Sequence, residues 1–581
     1  MISMPNKTDD IENFRAMAEL LLEDSERPWS EVLARLLHEA SRGKGHLVAK
    51  DVIGELDRKT MPKHLLSLDG SLILLARTAA YWESIRSFVE GKVKLLDEKR
   101  FSDGVIREEL DRILPHEPIE ENGEVVFDNS QQRLAVAMLV DTPFGVLTGG
   151  PGTGKTTTAA ALLALRRSVD PDLEPARVMI CAPTGKAANR LKQSLNRASI
   201  NLNLTEDEKS FLDNLNPQTL HRTLGWTPKP PERGGPFRHG KDMPLEVDIV
   251  VVDETSMMDL ELMSCLLEAL LPSASLILLG DIDQLESVEA GGILTELVQR
   301  GSTSALPSTL VNRLKGRCQE FAEKEWRRGL PSMMTPKPLP GIAVGLFWSF
   351  RAKSAPWILE MATLVNPRSQ SDAHAFFSSC EKLGSNKPFT RHSSRFDFDK
   401  ICREGWLELI SSIGERSVTN PPDPQILSDI LGQFQLLCGT NYQVSRANRE
   451  GLKLIKKKWG DGDPLPHSCP IMIESNQPLL DLANGDQGIL LGTGPGEIAT
   501  MAYFPGRSEP VPVPSLPSHR PAFGMTIHKS QGSEWESVAI ELSNKEKGLL
   551  DRNLLYTAIT RSSHKVNLLA SDDVLKEVLG G

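Results

Sequence analysis

The chain has 581 residues, of which 40% are hydrophobic and 25% charged, and its formal net charge is −11. This length is too great for one hydrophobic core and predicts three or four domains. The composition excludes a chain that is disordered throughout, and the charge excludes a surface that is basic all over, although a local basic groove stays compatible with it.

The cysteines and the hydropathy of the chain indicate the cellular compartment in which the protein occurs. The seven cysteines are odd in number and include no C-x-x-C pair, which predicts reduced thiols without a disulfide framework or zinc site. The opening "MISMPNKTDDIENF" is acidic and lacks the apolar core of a signal peptide. The longest apolar runs have the length of strands, so we expect a cytoplasmic protein with no membrane partner.

Residues 1–115 have the apolar spacing of helices. "IENFRAMAELLLEDS" and "SEVLARLLHEAS" are amphipathic, and Ser102 precedes "DGVIREELDRIL" as a candidate N-cap. Neither a phosphate-binding loop nor a catalytic cluster occurs in this segment. We therefore predict a helical N-terminal domain that packs or docks.

Residues 116–342 alternate between short apolar runs and helical patterns. "FGVLTGG" precedes "TTTAAALLALRR", and "VDIVVVDE" precedes "LELMSCLLEAL". This alternation predicts a parallel sheet with crossover helices. A Pro-, Gly- and basic-rich stretch at 225–245 predicts a loop or small hairpin, and the irregular stretch at 301–342 carries no predicted role.

Residues 343–581 again mix strand-like and helix-like patterns, and one region interrupts this mixture. The interruption is a Pro-rich, strand-compatible region at 466–521. We predict a second α/β domain that carries a small β module as an insertion.

The stretch "TGGPGTGKTTTAA" has the form of a phosphate-binding loop. In G-x-x-x-x-G-K-[ST] loops the backbone N–H groups surround the phosphates, so Lys155 would reach the β- and γ-phosphates and Thr156 would ligate Mg²⁺. The predicted nucleotide-binding residues are Gly149, Gly150, Pro151, Gly152, Thr153, Gly154, Lys155, Thr156 and Thr157. Switches, transporters, kinases and motors all use such a loop, so the loop does not distinguish among them.

Two further buried strands are predicted to end in polar groups. "DIVVVDETSMMD" ends in Asp253, a candidate Mg²⁺ ligand, and Glu254, a candidate activator of the attacking water. "LILLGDIDQL" places Gln284 where it can contact a γ-phosphate, because ligands bind at the carboxyl ends of parallel strands. An ordinary strand-to-helix turn is the alternative for Gln284.

The sequence "GDIDQL" after the "VVDE" box resembles the third motif of superfamily 1 helicases, and other fragments resemble that family's motifs in the family's order. They are "NSQQRLAV" with Gln132, "CAPTGKAANRL" (181–191), "QTLHRTLG" (218–225), "SFRA" with Arg351, "MTIHKSQGSEW" (525–535) and "LLYTAITRSSHKV" (554–566) with Arg561. Together they cover about residues 128–565. The amino-acid sequences of these fragments resemble those of the RecD family, the α subunits of the RecBCD exonuclease V complex.

The resemblance implies an α/β fold of two RecA-like lobes with parallel sheets. It places the first lobe at 116–342, with a strand-separating hairpin at 225–245, and the second at 343–581, with an SH3-like insertion at 466–521. It also implies an ATP-dependent 5′→3′ DNA helicase with ATP and Mg²⁺ as ligands. The implied partners are DNA, a RecC-like subunit that residues 1–115 contact, and a RecB-like subunit that cuts DNA.

The resemblance also assigns residues to roles. Gln132 would read adenine, and Arg351 and Arg561 of the second lobe would stabilise the γ-phosphate together with Lys155, Asp253, Glu254 and Gln284 of the first. The implied DNA contacts are Thr184, Lys186, Thr219, His221, Thr526, His528, Lys529 and Gln531. Trp226 and Trp535 are candidates for base stacking or for buried packing.

Three alternatives stay open at this point. One is a stand-alone RecD-like helicase, although the helix-hairpin-helix repeats usual in those chains are not evident in residues 1–115. Another is an interaction subunit whose motor is silent. The third, a switch or kinase, leaves the fragments at 525–535 and 554–566 without a role.

Overall fold

The structure is a computed structural model, and the ranges it describes are 29–41, 47–48, 61, 65–68, 72–96, 98, 100–121, 124–227, 237–286, 293–302, 305–328, 330, 339–349, 355–366, 369, 371–383, 388–392, 394–414, 416–460, 466–543 and 550–579. Two parallel sheets and one antiparallel insertion dominate these ranges. The predicted α/β fold class is thereby confirmed. No helix in the described part of the chain combines the length and apolar character that crossing a lipid bilayer requires.

The N-terminal region contains both helices and short strands. Its elements are α1 (Ser30–Ser41), β1 (Leu47–Val48), β2 (Leu65–Leu68), β3 (Leu72–Leu75), α2 (Ala76–Val93), α3 (Asp103–Ile113), β4 (Ile119–Glu121) and β5 (Glu124–Phe127). Strands β1, β3 and β2 form an antiparallel sheet that the prediction of a helical region did not include. Strands of two to four residues are too short to show a period of two in the sequence.

The N-terminal region divides near residue 75. Trp29, Leu33 and Leu65 belong to a small core of their own. Helices α2 and α3 instead share the core of the first lobe, and the Lys92 ammonium donates to the Ala274 carbonyl there at 2.5 Å. The structure therefore assigns 76–113 to the first lobe by packing, whereas the sequence placed them in a separate domain.

The first lobe is a six-stranded parallel sheet flanked by helices. Its elements are α4 (Ser130–Leu139), β6 (Phe144–Gly149), α5 (Lys155–Val169), β7 (Val178–Ala182), α6 (Gly185–Asn201), α7 (Glu206–Asp213), β8 (Gln218–Thr219), α8 (Leu220–Thr223), β9 (Ile249–Val252), α9 (Leu260–Glu268), β10 (Ser275–Gly280), α10 (Ile293–Ser302), α11 (Ser308–Arg317), α12 (Glu323–Arg328) and β11 (Ala343–Leu346). The strand order is β11-β6-β10-β9-β7-β8. Strands β6, β9 and β10 are buried along their whole length, so their polar residues are confined to the strand ends.

The stretch without a predicted role completes this lobe. Arg317 of α11 is buried and pairs with Asp141, with Nη2 and Oδ2 2.6 Å apart. The Trp326 indole donates to the Ala343 carbonyl at 2.9 Å, and β11 pairs with β6. The first sheet therefore extends to Leu346, four residues beyond the boundary placed after residue 342.

The second lobe is a five-stranded parallel sheet that carries the insertion. Its elements are α13 (Pro356–Val365), α14 (Ala373–Leu383), β12 (Phe389–His392), α15 (Arg395–Gly414), α16 (Pro424–Gly432), β13 (Phe434–Cys438), α17 (Asn441–Trp459), β14 (Cys469–Ile473), β15 (Gln487–Leu491), β16 (Met501–Tyr503), β17 (Val511–Pro512), β18 (His519–Pro521), β19 (Gly524–Thr526), β20 (Trp535–Glu541), α18 (Arg552–Ile559), β21 (Ser562–Leu569) and α19 (Asp572–Leu579). The order in the parallel sheet is β12-β21-β20-β13-β19.

The insertion is an antiparallel sheet with the order β17-β16-β15-β14-β18. Its first and last strands, β14 and β18, are neighbours, with Ile471 opposite Pro521. The chain therefore leaves the second lobe and returns to it at one place. This small β module lies within the range 466–521 that the sequence assigned to it.

Candidate functional site

The phosphate-binding loop connects the buried strand β6 to helix α5. Gly152 and Gly154 have φ angles of 74° and 84°, left-handed values that glycine adopts without strain. The Lys155 ammonium donates to the carbonyls of Gly149 at 2.6 Å and Gly150 at 3.2 Å. The positive charge of Lys155 therefore lies beside the loop, where the N-terminus of α5 also favours an anion.

Two polar side chains donate hydrogen bonds to backbone carbonyls of the loop. The Gln132 amide nitrogen donates to the Thr153 carbonyl at 3.2 Å. The Ser349 hydroxyl, which the sequence did not single out, donates to the Pro151 carbonyl at 3.2 Å. Gln132 is buried against the loop, and the adenine-reading role that the resemblance implies for it stays a prediction.

Asp253 and Glu254 follow β9 directly. Glu254 has a φ of 52°, a left-handed value that costs a residue with a side chain free energy and is enriched at functional sites. Burial, aided by the nearby Glu254 carboxylate, raises the pKa of Asp253 to about 6, and Lys155 opposes the rise. A bound cation would stabilise the ionised form of this buried carboxylate.

Asp281 and Gln284 follow β10 at the same edge of the sheet. Asp281 is 1% exposed, and burial, with the Asp283 charge, raises its pKa to about 6. The Gln284 amide nitrogen donates to Asp281 Oδ2 at 3.2 Å. Gln284 Oε1 is buried without a hydrogen-bond partner among the described residues.

The two lobes enclose a cavity of about 320 Å³ beside the loop. The first lobe contributes Lys155, Asp253, Glu254 and Gln284 to its lining, and the second contributes Arg561. Thr156 and Thr157 line it too, whereas Gly149, Gly150 and Gln132 lie outside the lining. The Arg561 guanidinium is buried and donates to the Thr557 and Ser533 carbonyls, both at 3.2 Å.

Hydrogen bonds connect the lobes next to this cavity. The Leu285 amide donates to the Thr557 hydroxyl at 2.9 Å, and the Asn553 amide nitrogen donates to the Gln284 carbonyl at 3.3 Å. Arg190 of α6 and Glu534 form an ion pair with Nη2 and Oε2 2.8 Å apart. The loop after β10 is therefore in direct contact with the second lobe.

The predicted DNA contacts of the first lobe lie at helix starts. The hydroxyls of Thr184 and Thr219 accept hydrogen bonds from backbone amides, and each residue is the N-cap of its helix. His221 is exposed, with its ring centroid 5.7 Å from that of Phe237. These residues share one end of the sheet, because β7 and β8 are parallel neighbours that end there.

Lys186 is covered by the second lobe and the insertion. Its ammonium donates to Gln487 Oε1 at 3.2 Å and lies 5.4 Å from the centroid of the Trp535 ring. Burial lowers the pKa of Lys186 to about 8. A methyl group built onto Gly185 would overlap Ala483 Cβ, so the start of α6 and the insertion are in close contact.

The predicted DNA contacts of the second lobe divide into two groups. Thr526 ends β19, and His528 and Lys529 follow the strand. All three are exposed or partly buried, and burial lowers the pKa of Lys529. Gln531 differs, because the residue is 8% exposed and its amide nitrogen donates to the Leu285 carbonyl at 2.7 Å. Gln531 therefore contacts the loop after β10 in the first lobe.

Other predicted residues can be placed or lie outside the described ranges. Trp535 is 3% exposed, which favours the buried-packing alternative, whereas Trp226 is 51% exposed and pairs with Phe237 across the base of the 225–245 segment. Arg351 and residues 228–236 of that segment lie outside the described residues. Tyr556, Asp281 and Arg190 are site residues to which the sequence assigned no role, although all three lie within the quoted fragments.

Two family models match parts of the chain, and solved structures resemble it distantly. A family described as an AAA domain matches residues 132–290, and one described as a UvrD-like helicase C-terminal domain matches 521–569. A solved structure, the Pif1 helicase from Bacteroides with ADP-AlF3 and single-stranded DNA, is similar at a TM-score of 0.37 and 16% identity, covering 78% of this chain and 94% of that one.

Curated relatives extend over most of the chain. The RecBCD enzyme subunit RecD of Mycobacterium tuberculosis is 32% identical over 451 residues, which are 76% of this chain and 69% of the relative. The RecD subunit of Haemophilus influenzae is 29% identical over 525 residues, 85% of this chain and 76% of the relative. The ATP-dependent RecD2 DNA helicase of Deinococcus radiodurans is 27% identical over 421 residues, 72% of this chain and 45% of the relative. Together with the phosphate-binding loop and the two-lobed cleft, these similarities show that the chain belongs to the RecD family of ATP-dependent DNA helicases.

Proposed function

We propose that the chain is the RecD-like motor subunit of a RecBCD-type complex, which hydrolyses ATP in the cleft and moves 5′→3′ along one DNA strand. One observation carries this proposal. Lys155, Asp253 and Glu254 of the first lobe line the same cavity as Arg561 of the second lobe. A site built from two lobes can convert a change at the phosphate into relative movement of those lobes.

The cavity fits ATP with Mg²⁺. It holds cationic, carboxylate and hydroxyl groups, and two buried oxygens in its lining, Gln284 Oε1 and Ser533 Oγ, have no hydrogen-bond partner among the described residues. Thr156 and Asp253 would hold the Mg²⁺, whose positive charge would favour the ionised form of Asp253. When bound, the ion neutralises charge on the phosphate oxygens.

In the proposed reaction, water attacks the γ-phosphorus. A bond forms between the water oxygen and phosphorus, the bond from phosphorus to the β-bridging oxygen breaks, and ADP leaves with that electron pair. Glu254 accepts the water proton, and Lys155 and Arg561 stabilise the charge on the transferred group. Arg561 can do so only while the lobes are closed, so hydrolysis and phosphate release favour opening.

We place the DNA strand along the carboxyl ends of β7, β8 and β19, where the predicted contacts Thr184, Thr219, His221, Thr526, His528 and Lys529 lie. Hydroxyls, exposed imidazoles and ammonium groups suit phosphate contacts, which hold a strand without reading its sequence. Lys186 would join them once Gln487 no longer covers it. Gln531 is left out of this set because it contacts Leu285.

The partners proposed are RecB-like and RecC-like subunits, and the compartment proposed is the cytoplasm. The support is sequence similarity, because the RecD subunits are 29–32% identical over 76–85% of this chain, whereas the RecD2 helicase is 27% identical over 72% of it. Within residues 1–115, the small core of Trp29, Leu33 and Leu65 is separate from the first lobe and is the proposed docking element. Arg351 is retained as a proposed second arginine at the γ-phosphate.

The test is ATP hydrolysis by the purified chain with and without single-stranded DNA, beside Lys155→Ala and Arg561→Ala. We expect DNA to stimulate turnover and either substitution to reduce it by about 10³-fold. Duplexes with 5′ or 3′ tails then measure polarity, and unwinding from 5′ tails alone is expected.

Co-expression with the two other subunits tests the assembly. A stable heterotrimer with DNA-stimulated hydrolysis that Lys155→Ala removes supports the proposal. A well-folded chain that hydrolyses no ATP alone but supports complex activity equally with Lys155→Ala would identify a silent interaction subunit. Full helicase activity without any partner binding would identify a stand-alone enzyme.

A further inference from the structure

The two polar atoms of the Gln284 amide have different surroundings. Its amide nitrogen donates to Asp281 Oδ2 at 3.2 Å. Its Oε1 atom is buried, with no hydrogen-bond partner in the described part of the chain, and Gln284 lines the cavity with Lys155 and Arg561. An amide oxygen accepts hydrogen bonds, so it suits a water molecule and not the oxygen of a phosphate.

Asp281 fixes this orientation. Its Oδ1 accepts the Asp283 amide at 3.0 Å, and its Oδ2 accepts both the Gln284 amide nitrogen and the Tyr556 hydroxyl, the latter at 3.1 Å. A carboxylate oxygen can accept two such donors, whereas the opposite orientation of Gln284 would set two acceptors against each other. Since Asp281 is 1% exposed, water does not compete for these bonds.

Tyr556 reaches this carboxylate from the other lobe. It lies in α18 and is 5% exposed. A methyl group built onto Gly150 would lie 3.2 Å from the Tyr556 hydroxyl, so the hydroxyl also lies against the phosphate-binding loop. One hydroxyl of the second lobe therefore touches both nucleotide-binding segments of the first.

We propose that Asp281 and Tyr556 are positioning residues that hold the Gln284 oxygen towards the attacking water, and that Tyr556 makes this alignment depend on the closed position of the second lobe. The inference rests on the proposed ATP hydrolysis in this cleft. It assigns Gln284 to the water rather than to a phosphate oxygen. It also gives closure a second consequence besides the arrival of Arg561, because separation of the lobes withdraws the Tyr556 hydroxyl from Asp281.

The experiment compares the wild type with Tyr556→Phe, Gln284→Ala and the double variant in DNA-stimulated ATP hydrolysis. Tyr556→Phe removes one oxygen and keeps the buried ring. We expect kcat to fall about tenfold while the KM for ATP changes less than about twofold, since alignment in the transition state is lost and ground-state binding is kept. Tyr503→Phe, the same change in strand β16 of the insertion, is the matched control and should retain full turnover.

The double variant separates positioning from a structural role. If Tyr556 acts through Gln284, Tyr556→Phe should lower kcat less than about twofold when Gln284 is already alanine. Independent tenfold losses in both backgrounds, or an unchanged kcat in Tyr556→Phe, would overturn the inference. If Tyr556→Phe does not fold, Asp281→Asn replaces it, with the same expectation in the Gln284→Ala background and the same overturning results. Wild-type protein without DNA-stimulated turnover would instead overturn the proposed function, and this inference with it.

Discussion

The Arg190 guanidinium of the first lobe and the Glu534 carboxylate of the second form an ion pair across the cleft, with Nη2 and Oε2 2.8 Å apart. Both residues line the cavity that holds Lys155 and Arg561. Their side chains are 41% and 27% exposed, so water screens the pair. Such a pair contributes little to the stability of either lobe, and it acts only when the cleft is closed.

We therefore expect charge reversal of Arg190 to act on nucleotide binding more than on folding. Arg190→Glu places two carboxylates face to face and should raise the KM for ATP several-fold, while the free energy of unfolding changes by less than about 1 kcal/mol. Arg190→Glu with Glu534→Arg should restore the KM most of the way. Steady-state kinetics and thermal unfolding of the three variants measure both effects, and a double variant no better than Arg190→Glu alone contradicts the pairing.

The contact of Gly185 with Ala483 predicts a reciprocal pair of substitutions. Gly185→Ala overlaps Ala483 Cβ and should force the insertion away from α6, at a cost of about 1–3 kcal/mol in the free energy of unfolding. Ala483→Gly in the same chain removes the overlapping methyl group and should restore stability. Denaturant unfolding measures both, and Gly240→Ala, with nothing within 4 Å of the added methyl group, is the control. A stable Gly185→Ala protein would contradict the close contact.

We expect substitutions of Gln531 and Lys529 to have different effects, although the two residues are only two positions apart. Gln531→Ala removes the donor to the Leu285 carbonyl and should lower DNA-stimulated kcat, with the Kd for single-stranded DNA within about twofold of the wild type. Lys529→Ala removes the proposed phosphate contact and should raise that Kd, more steeply at low salt. Fluorescence anisotropy with labelled DNA and ATPase assays distinguish them. Equal losses of DNA affinity would return Gln531 to the DNA-contact set.

The raised pKa of the Asp281 carboxyl group predicts that activity and stability change in opposite directions with pH. Its pKa is raised from the ordinary 3.8 to about 6 by burial and by Asp283, against the attraction of Lys155. The folded state therefore binds this proton more readily than the unfolded state. The ionised carboxylate costs stability above pH 6, on the order of 3 kcal/mol, and the cost disappears as the pH falls towards 4.

Turnover should accordingly fall as the pH is lowered through about 6, because protonated Asp281 accepts fewer hydrogen bonds from Gln284 and Tyr556. Over the same interval the wild type should gain stability relative to Asp281→Asn. Stopped assays between pH 5 and 8 and melting curves of both proteins provide the test. A kcat that stays constant down to pH 5 would contradict the assignment.

The positions of the nucleotide-binding residues could be read from the sequence because each follows a short buried strand. Uninterrupted apolar runs such as Ile249–Val252 and Ser275–Gly280 are visible without a structure, and parallel pairing brings their carboxyl ends together. The loop, Asp253 and Gln284 were predicted in this way, and Gln132 and Arg561 by their place among the family's motifs. Their catalytic roles remain predictions.

Features that depend on packing between distant segments could not be predicted. Gln531 and Leu285 are 246 residues apart, and no local pattern shows which way a loop glutamine points. The assignment of 76–113 and 343–346 to the first lobe depends on burial against residues far away in the chain. The same holds for the cover over Lys186, which Gln487 provides across 301 positions.

Strand β11 has a consequence for how the protein emerges from the ribosome. It covers one edge of β6, the strand that leads into the phosphate-binding loop, with Leu346 paired to Gly149, yet it is made almost 200 residues later. Until then that edge of β6 exposes unpaired backbone groups, which invite pairing with other chains. A nascent chain arrested before residue 343 should therefore neither retain nucleotide nor resist aggregation, and a fragment prepared for study should extend through Ser349, which bonds to the loop.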